Sequence, residues 1–179
     1  MAPPIPVHLV QYNPEWPGMA SRFSDQLGIL GPLLSVVHHI GSTSVPGMTA
    51  KPVIDLMPLV SDLAGFDARR SDIEGLGYVW HGEFGVEGRR FCTWDNQDGV
   101  RVAQLHCYHH ESPHAKRQLA FRDYLRAFPD VAKAYEAEKF RASKLFPNNS
   151  VDYSREKGAF IRDAEAKALA WVTGDEGDD

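Results

Sequence analysis

A short stretch in the first third of the chain combines the residue types that phosphate chemistry requires. Gly41 is followed by three hydroxyl residues, Ser42, Thr43 and Ser44. Glycine permits a tight turn, in which backbone N–H groups and hydroxyls can converge on one anion. Asp55 lies in the next apolar run, where an unpaired carboxylate is costly to bury and must meet a metal, a polar partner or solvent. A phosphate-binding turn beside a metal-binding carboxylate predicts phosphoryl or nucleotidyl transfer.

The same residues also have a purely structural interpretation. The hydroxyl-rich segment could be an ordinary turn after a strand, and Asp55 could cap a turn or pair with Lys51. Lys51 precedes Pro52, which favours an extended backbone that could direct the ammonium group to the same anion. The proximity of Asp55 and Lys51 to the turn favours a ligand site.

Further basic residues are candidates to complete this site. Arg89 and Arg90 follow the glycine-rich stretch 82–88, which we expect to form a mobile loop that closes over a phosphate or carboxylate. Neighbouring strand residues point to opposite faces, so one of the two should face the site, and we prefer Arg90. Tyr153 and Lys157 fall on the apolar stripe of the last predicted helix, where a lysine either reaches solvent or points into a cleft.

Two more arginines lie four residues apart at the edge of an apolar helical stripe. Arg122 and Arg126 could contribute to the same cleft. Ion pairing on the helix surface, for example between Arg126 and Asp130, is the slightly favoured alternative.

The periodicity of the chain predicts the elements that hold these residues. Apolar runs predict strands at 6–12, 35–40, 52–57, 78–81, 90–94 and 100–108. Helical spacing and proline punctuation predict helices at 13–30, 61–75, 113–128, 131–146 and 152–171. Strands that precede helices predict an α+β fold, with one mixed β-sheet, flanking helices and a helical C-terminal part.

The central stretch resembles the signature of the GrpB family. The pattern HIGST-x-VPG-x-x-AKP-x-ID is present at 39–43, 45–47, 50–52 and 54–55, and the resemblance extends from about Val7 to Trp171. The family is similar to the nucleotidyltransferase (DNA polymerase beta-like) superfamily. The resemblance therefore implies a nucleotidyltransferase-like fold, a single domain over 1–172, and a nucleotide or phosphorylated small molecule as the ligand.

The sequence departs from the nucleotidyltransferase pattern at its metal ligands. These enzymes usually carry Asp-x-Asp or Asp-x-Glu on this strand, but Met57 occupies the second position. Alternation along the strand at 101–108 places Gln104 and His106 on one face, as the nearest counterpart of a third acid. The expected cofactor is a divalent metal, either Mg²⁺ or Mn²⁺, and an Asp55–His106 pair would also suit a transition metal. Metal-free anion binding is the alternative.

Three functions follow from these residues. In a nucleotidyltransferase, Asp55 would hold a metal ion while basic groups neutralise the pyrophosphate leaving group. The candidate residues are catalytic Asp55, His106 and Lys157 and phosphate-binding Gly41, Ser42, Thr43, Ser44, Lys51, Arg90 and Tyr153, with Asp55 and His106 as metal ligands. Without a second carboxylate, the site could instead belong to a ligand-binding or regulatory module. Metal-dependent hydrolysis is the third candidate.

The surroundings of Asp55 should distinguish these functions. Convergence of His106 and a loop glutamate, Glu83 or Glu87, on Asp55 would rebuild a metal site and favour an enzyme. Pairing of Asp55 with Lys51 would favour a binding module.

Two other metal-like patterns are discounted. The stretch 110–114 matches the zinc-protease pattern H-E-x-x-H, but Pro113 would break the helix that this chemistry needs. Cys92 and Cys107 lie in predicted strands and are expected to be buried thiols.

Composition indicates the domain size, the excluded ligand classes and the expected cellular location of the protein. At 179 residues and 43% hydrophobic, the chain can bury the core of one domain. The formal charge is −5, but the tail 173–179, expected to be disordered, carries four of these negative charges. The nearly neutral remainder argues against a nucleic-acid-binding surface. The absence of a signal segment and of a membrane-length apolar run predicts a cytoplasmic protein without a membrane partner, and leaves the oligomeric state open.

Overall fold

The computed structural model of the protein describes residues 4–174. Its strands are β1 (Leu34–Ile40), β2 (Ile54–Val60), β3 (Val79–Trp80), β4 (Arg90–Asp95) and β5 (Arg101–His109). Its helices are α1 (Trp16–Gln26), α2 (Leu63–Ala68), α3 (Arg70–Gly75), α4 (Pro113–Ala127), α5 (Pro129–Leu145), α6 (Ser150–Glu156) and α7 (Gly158–Thr173). The predicted α+β class is confirmed, with one mixed sheet and a helical C-terminal part.

The five strands form a single sheet in the order β1-β2-β5-β4-β3. Strands β2 and β5 pair in parallel, whereas the other neighbouring strands are antiparallel. This pairing places Asp55 between Ile40 of β1 and Gln104 of β5. The sheet therefore brings Asp55 to the edge where β1 ends and β2 begins.

Both faces of the sheet are covered, which explains the nearly continuous apolar sequence of β2. The larger core includes Trp16, Phe66 and Ile73 of the first three helices, packed against Leu56 and Leu105. The alternation predicted for β5 is seen in the structure, since Ala103, Leu105 and Cys107 all lie in this larger core.

A smaller core on the opposite face joins β2 and β5 to α4. It contains Met57, Tyr108 and Ala115, with Ile40 at its edge. Asp55 is two residues from Met57 along β2 and therefore lies on this face.

The predicted N-terminal strand at 6–12 is wrong. The segment makes one isolated bridge, in which the amide of Val10 and the amide of Ala50 each donate to the other's carbonyl at 2.9 Å. Two residues after Ala50 the chain reaches Pro52, which has no N–H to donate to a longer ladder.

The C-terminal segment differs from prediction in two places. The helix predicted at 152–171 is two helices, α6 and α7, with Lys157 at the junction between them. Helix α7 continues to Thr173, and Gly174 closes it with a φ of 72°. The predicted domain end at 172 therefore falls inside the last helical turn. Residues 175–179 of the predicted acidic tail lie outside the described residues, and the single-domain assignment stays a prediction.

Other expectations can be compared directly with the described residues. Cys92 and Cys107 are buried and form no disulfide with each other, and burial raises the pKa of Cys92 to about 12. Strand β5 ends at His109 and α4 begins at Pro113, so the H-E-x-x-H stretch spans a junction and not one helix. Within residues 4–174, no helix combines the length and apolar character that crossing a membrane requires.

Candidate functional site

A cavity of about 260 Å³ lies on the α4 face of the sheet, beside the end of β1. Asp55, Gln104 and His106 contribute the sheet side of this cavity. The turn after β1 and the helices α4 to α6 form its walls. The cavity thus collects residues from segments that are far apart in the sequence.

Most of the predicted site residues line this cavity. They are Gly41, Ser42, Thr43, Lys51, Asp55, His106, Tyr153 and Lys157. Ser44 and Arg90 lie outside it, and the contacts of each explain why.

The three hydroxyl residues after Gly41 make different hydrogen bonds. The Ser44 hydroxyl donates to the Gly41 carbonyl at 2.6 Å and so closes the turn from within. The Thr43 hydroxyl is 2.9 Å from His39 Nε2 and donates to the Val53 carbonyl at 3.4 Å. Both side chains therefore hold the turn together. The Ser42 hydroxyl takes no part in these contacts; Ser42 lines the cavity, where its hydroxyl contacts Tyr135.

Gly41 combines a restricted backbone with a very close neighbour. Its φ of 70° lies in the left-handed region, and a Cβ atom at this position would be 2.5 Å from Asp55 Oδ2. The turn can approach the carboxylate only because residue 41 has no side chain.

We expect Gly41→Ala to destabilise the fold and to displace Asp55. The backbone strain should cost about 1–2 kcal/mol, and the clash should also weaken ligand binding. Gly47→Ala is the matched control, because Gly47 has a φ of 78° but open space around its missing Cβ. Chemical denaturation and ligand titration of both variants would check this. Equal effects of the two substitutions on ligand binding would contradict the role of the close approach.

Asp55 belongs to a short polar chain that runs to the loop before β4. His106 Nε2 is 3.3 Å from Asp55 Oδ1, and Arg89 Nη1 is 3.5 Å from His106 Nδ1. Arginine can only donate, so this contact makes Nδ1 the acceptor and leaves the proton on Nε2, directed at Asp55. The Arg89 guanidinium also donates to the carbonyls of Glu83 and Phe84, at 3.2 and 2.7 Å. Arg89 thereby joins the loop to the site.

The preference for Arg90 over Arg89 requires a correction. Arg90 is paired with Asp67 through Nε and Nη2, at 2.5 and 2.7 Å, away from the cavity. The cause is strand register, because Arg90 lies opposite Cys107, whose side chain belongs to the larger core on the far face. Glu83 also stays within the loop, where it accepts from the Gly88 amide at 2.8 Å.

The contacts of Asp55 match neither of the two arrangements suggested by the sequence, which were a metal site completed by a loop glutamate and an ion pair with Lys51. Among residues 4–174, the ion-pair partner of Asp55 is His106, and neither a loop carboxylate nor Lys51 lies within pairing distance.

We expect Arg89→Ala to release His106 from a single tautomer and to weaken ligand binding about three- to tenfold. Nitrogen NMR of the imidazole would report the change directly, as mixed protonation of Nδ1 and Nε2. The neighbouring Arg90→Ala is the control, because it removes contacts with Asp67, Glu83 and the Arg89 carbonyl but none with His106, and it should cost roughly 0–1 kcal/mol of stability. An unchanged His106 tautomer in Arg89→Ala would refute this role.

Three lysines surround two tyrosines on the helical side of the cavity. Lys157 Nζ lies 4.1 Å from the centre of the Tyr153 ring and 5.4 Å from that of Tyr135. Lys51 Nζ is 5.4 Å from the Tyr153 ring centre, and Lys139 Nζ is 5.2 Å from the Tyr135 ring centre. The ring faces partly compensate these ammonium groups.

Burial disfavours the charged form of all three lysines and so lowers their pKa values. It lowers the pKa of Lys51 and of Lys157 to about 8, although the negative charge of Asp55 acts in the opposite direction on both. Burial, followed by repulsion from Lys157, lowers the pKa of Lys139 to about 7. The cavity therefore holds more positive than negative charge, and an anion placed there would raise these pKa values.

Sequence reasoning did not find Lys139. It is 1% exposed, and its ammonium group donates to the Thr49 carbonyl, while Tyr135 and Ala142 are buried on the same face of α5. The sequence feature that could have identified Lys139 is its position four residues after Tyr135, on the apolar face of the helix.

The two arginines of α4 support the turn after β1 through their side-chain donors, and Arg122 also lines the cavity. Arg126 donates to the Ser44 carbonyl through Nε and Nη2, at 3.0 and 2.7 Å, instead of pairing with Asp130. Arg122 donates to the His39 carbonyl at 3.2 Å and forms a two-point contact with Asp123.

The donor atoms near Asp55 fit one metal ion better than two. Met57 is fully buried in the smaller core, and Gln104 supplies an amide in place of a carboxylate. A single Mg²⁺ needs one or two carboxylates and completes its shell with phosphate oxygens and water. Because the Nε2 proton of His106 points at Asp55, a transition-metal site through that nitrogen is not supported.

A second cluster of metal-ligating types lies at the turn between β5 and α4. His109, His110 and Glu111 offer donor atoms within 4.8 Å of one another. Both ring nitrogens of His109 already have partners, since Nε2 lies 3.1 Å from the Ser61 carbonyl and Nδ1 accepts from the Glu111 amide. This cluster is therefore better explained as a structural turn.

The overall architecture is similar to that of a nucleotidyltransferase. Terminal uridylyl transferase 4 from Trypanosoma brucei, solved with bound dUTP, matches with a TM-score of 0.51 at 11% identity, covering 90% of this chain and 54% of that one. At this identity the likeness shows the fold alone, and it confirms the predicted nucleotidyltransferase-like fold.

Closer relatives are also found. The UPF0157 protein YqkA of Bacillus subtilis is 34% identical over 169 residues, which cover 94% of this chain and 49% of that protein. This chain thus spans about half the length of that relative. The conserved protein GrpB from Enterococcus faecalis, known from a crystal structure, is 34% identical with a TM-score of 0.85, over 92% of this chain and 99% of that one. The sequence model described as GrpB protein matches residues 6–167. The chain therefore belongs to the GrpB family.

Proposed function

We propose that this protein binds a nucleotide or another phosphorylated small molecule in the cavity beside Asp55. The observation that carries the proposal is the convergence of three lysines, the half-buried Lys51 and the buried Lys139 and Lys157, on a cavity with one carboxylate. Buried ammonium groups are costly without counter-charges, and a chain of phosphates supplies several in one ligand. The ligand phosphates would lie between these ammonium groups and the Ser42 hydroxyl.

A divalent ion, Mg²⁺ or Mn²⁺, is the proposed cofactor. Asp55 would hold the ion, and the phosphate oxygens of the ligand would complete its shell. When bound, the ion would neutralise phosphate charge and polarise a phosphoryl oxygen. His106 keeps Asp55 in place by donating to Oδ1, so that Oδ2 is available to the ion.

Nucleotidyl transfer to a small-molecule acceptor is the second candidate, and Asp55 at the start of β2 is the observation that favours it. An acceptor hydroxyl oxygen would attack the α-phosphorus and release its proton to solvent, while the bond from the α-phosphorus to the bridging oxygen would break and pyrophosphate would leave. Lys51 and Lys157 would neutralise the charge on that leaving group. Met57 and Gln104 weigh against efficient catalysis, because both positions lack a carboxylate.

Isothermal titration calorimetry with ATP, GTP, CTP and UTP would test binding, each with and without Mg²⁺ or Mn²⁺, on wild type and Asp55→Ala. We expect binding that metal strengthens in wild type but not in the variant. Undetectable binding of every nucleotide and of inorganic tripolyphosphate would overturn the proposal. Pyrophosphate release during incubation with candidate acceptors would separate transfer from binding alone.

A further inference from the structure

The α4 wall of the cavity differs chemically from the lysine side. Gln118, Phe121 and Leu125 line the cavity from α4. Their spacing of three and four residues puts them on one helical face. Arg122 is the charged member of this wall, but its donors are engaged by Asp123 and the His39 carbonyl. Among residues 4–174, this side of the cavity therefore offers an aromatic ring, an amide and one arginine whose donors already have protein partners.

The amide of Gln118 has a defined orientation. Its Nε2 donates to the Tyr108 hydroxyl at 2.9 Å, and Tyr108 is fully buried in the smaller core. With the amide nitrogen held there, Oε1 is left as an acceptor toward the cavity. A ligand that meets this oxygen must present an N–H or O–H donor.

Phe121 supplies a flat apolar surface next to that acceptor. Its ring contacts Tyr135 edge to face, with ring centres 5.4 Å apart, and this contact fixes its position beside the lysine-bearing helix α5. Aromatic side chains bind nucleobases by stacking, which tolerates any base.

We propose that Phe121 and Gln118 recognise the base of a nucleotide whose phosphates lie among the lysines. A flat ring that carries N–H donors matches the stacking surface and the Oε1 acceptor together. Inorganic polyphosphates and simple sugar phosphates lack such a ring and would leave this wall unused. The inference rests on the proposed function and narrows its ligand class to nucleotides.

Calorimetric titration with inorganic tripolyphosphate and with the four nucleoside triphosphates tests this inference. Tripolyphosphate needs only the lysine side, so wild type should bind at least one nucleoside triphosphate about tenfold more tightly. Phe121→Leu should remove most of that advantage while tripolyphosphate affinity stays unchanged. Gln118→Leu should weaken binding of the preferred nucleotide and leave tripolyphosphate unaffected. Retained tripolyphosphate binding also shows that each variant is folded.

The base site on α4 and the binding of phosphates in the cavity can be disproved separately. If tripolyphosphate and every nucleotide bind wild type equally, or if both α4 variants keep the nucleotide preference, the base site is wrong and phosphate binding stands. If neither tripolyphosphate nor any nucleotide binds wild type, the proposed function is wrong and the base site falls with it.

Discussion

Lys157→Met should stabilise the unliganded protein and remove most of its affinity for phosphates. Lys157 is buried, with 7% of the residue exposed, and its folded-state pKa is lowered to about 8. Replacing it by an apolar chain of similar length should raise the free energy of unfolding by about 1–3 kcal/mol. Loss of a charge-assisted contact should weaken nucleoside triphosphate binding on the order of a hundredfold.

Urea denaturation and calorimetric titration of the same preparation would measure both effects. Lys167→Met is the control, since Lys167 is an exposed lysine on α7 and should change neither quantity. A Lys157→Met protein that is less stable, or that binds nucleotides normally, would contradict the assignment of this lysine to a ligand.

The same lysine makes the wild-type protein sensitive to pH. Its pKa falls from the ordinary 10.5 to about 8 on folding, so between these values the unfolded chain binds more protons than the folded one. The free energy of unfolding without ligand should therefore rise as pH increases from about 8 to 10.5. Phosphate affinity should fall over the same interval, because the ammonium group loses its charge. Titrations in buffers with different ionisation enthalpies should show proton uptake on binding near pH 8.

Asp55→Asn should reverse the effect of Mg²⁺ on ligand binding. In wild type the carboxylate repels phosphates unless an ion lies between them. Without the carboxylate, tripolyphosphate should bind about tenfold more tightly in metal-free buffer. This comparison is made at a pH below the lysine pKa values, where the ammonium groups are charged. Added Mg²⁺ should then weaken binding by competing for the phosphates.

Asp67→Asn is the matched control, because Asp67 pairs with Arg90 outside the cavity. It should retain the wild-type response to Mg²⁺. Strengthening of binding by Mg²⁺ in Asp55→Asn as large as in wild type would rule out Asp55 as the ligand of the ion.

Much of the fold could be predicted because local patterns agree with the final sheet. The apolar run of β2 and the alternation along β5 each reflect burial that the sheet enforces, whereas in the edge strand β1 only Ile40 is buried. The grouping of Asp55 with the Gly41 turn could also be predicted, since the turn follows β1 and Asp55 begins the next strand, which pairs with β1.

What could not be predicted depends on tertiary geometry. The choice between Arg89 and Arg90 follows from the register of β4 against β5, which no local pattern encodes. The different roles of the three hydroxyls follow from the contacts of Thr43 with His39 and Val53 and from the bond of Ser44 to the Gly41 carbonyl. The break between α6 and α7 at Lys157 has no proline to signal it.

A crystal structure with a non-hydrolysable nucleoside triphosphate would test the central claim most directly. We expect the phosphates between the Ser42 hydroxyl and the ammonium groups of Lys51, Lys139 and Lys157, with the innermost phosphate nearest Asp55. Phosphates bound elsewhere, for example in the groove lined by residues 45–48, α4 and α5, with the lysine side chains unchanged, would contradict the account.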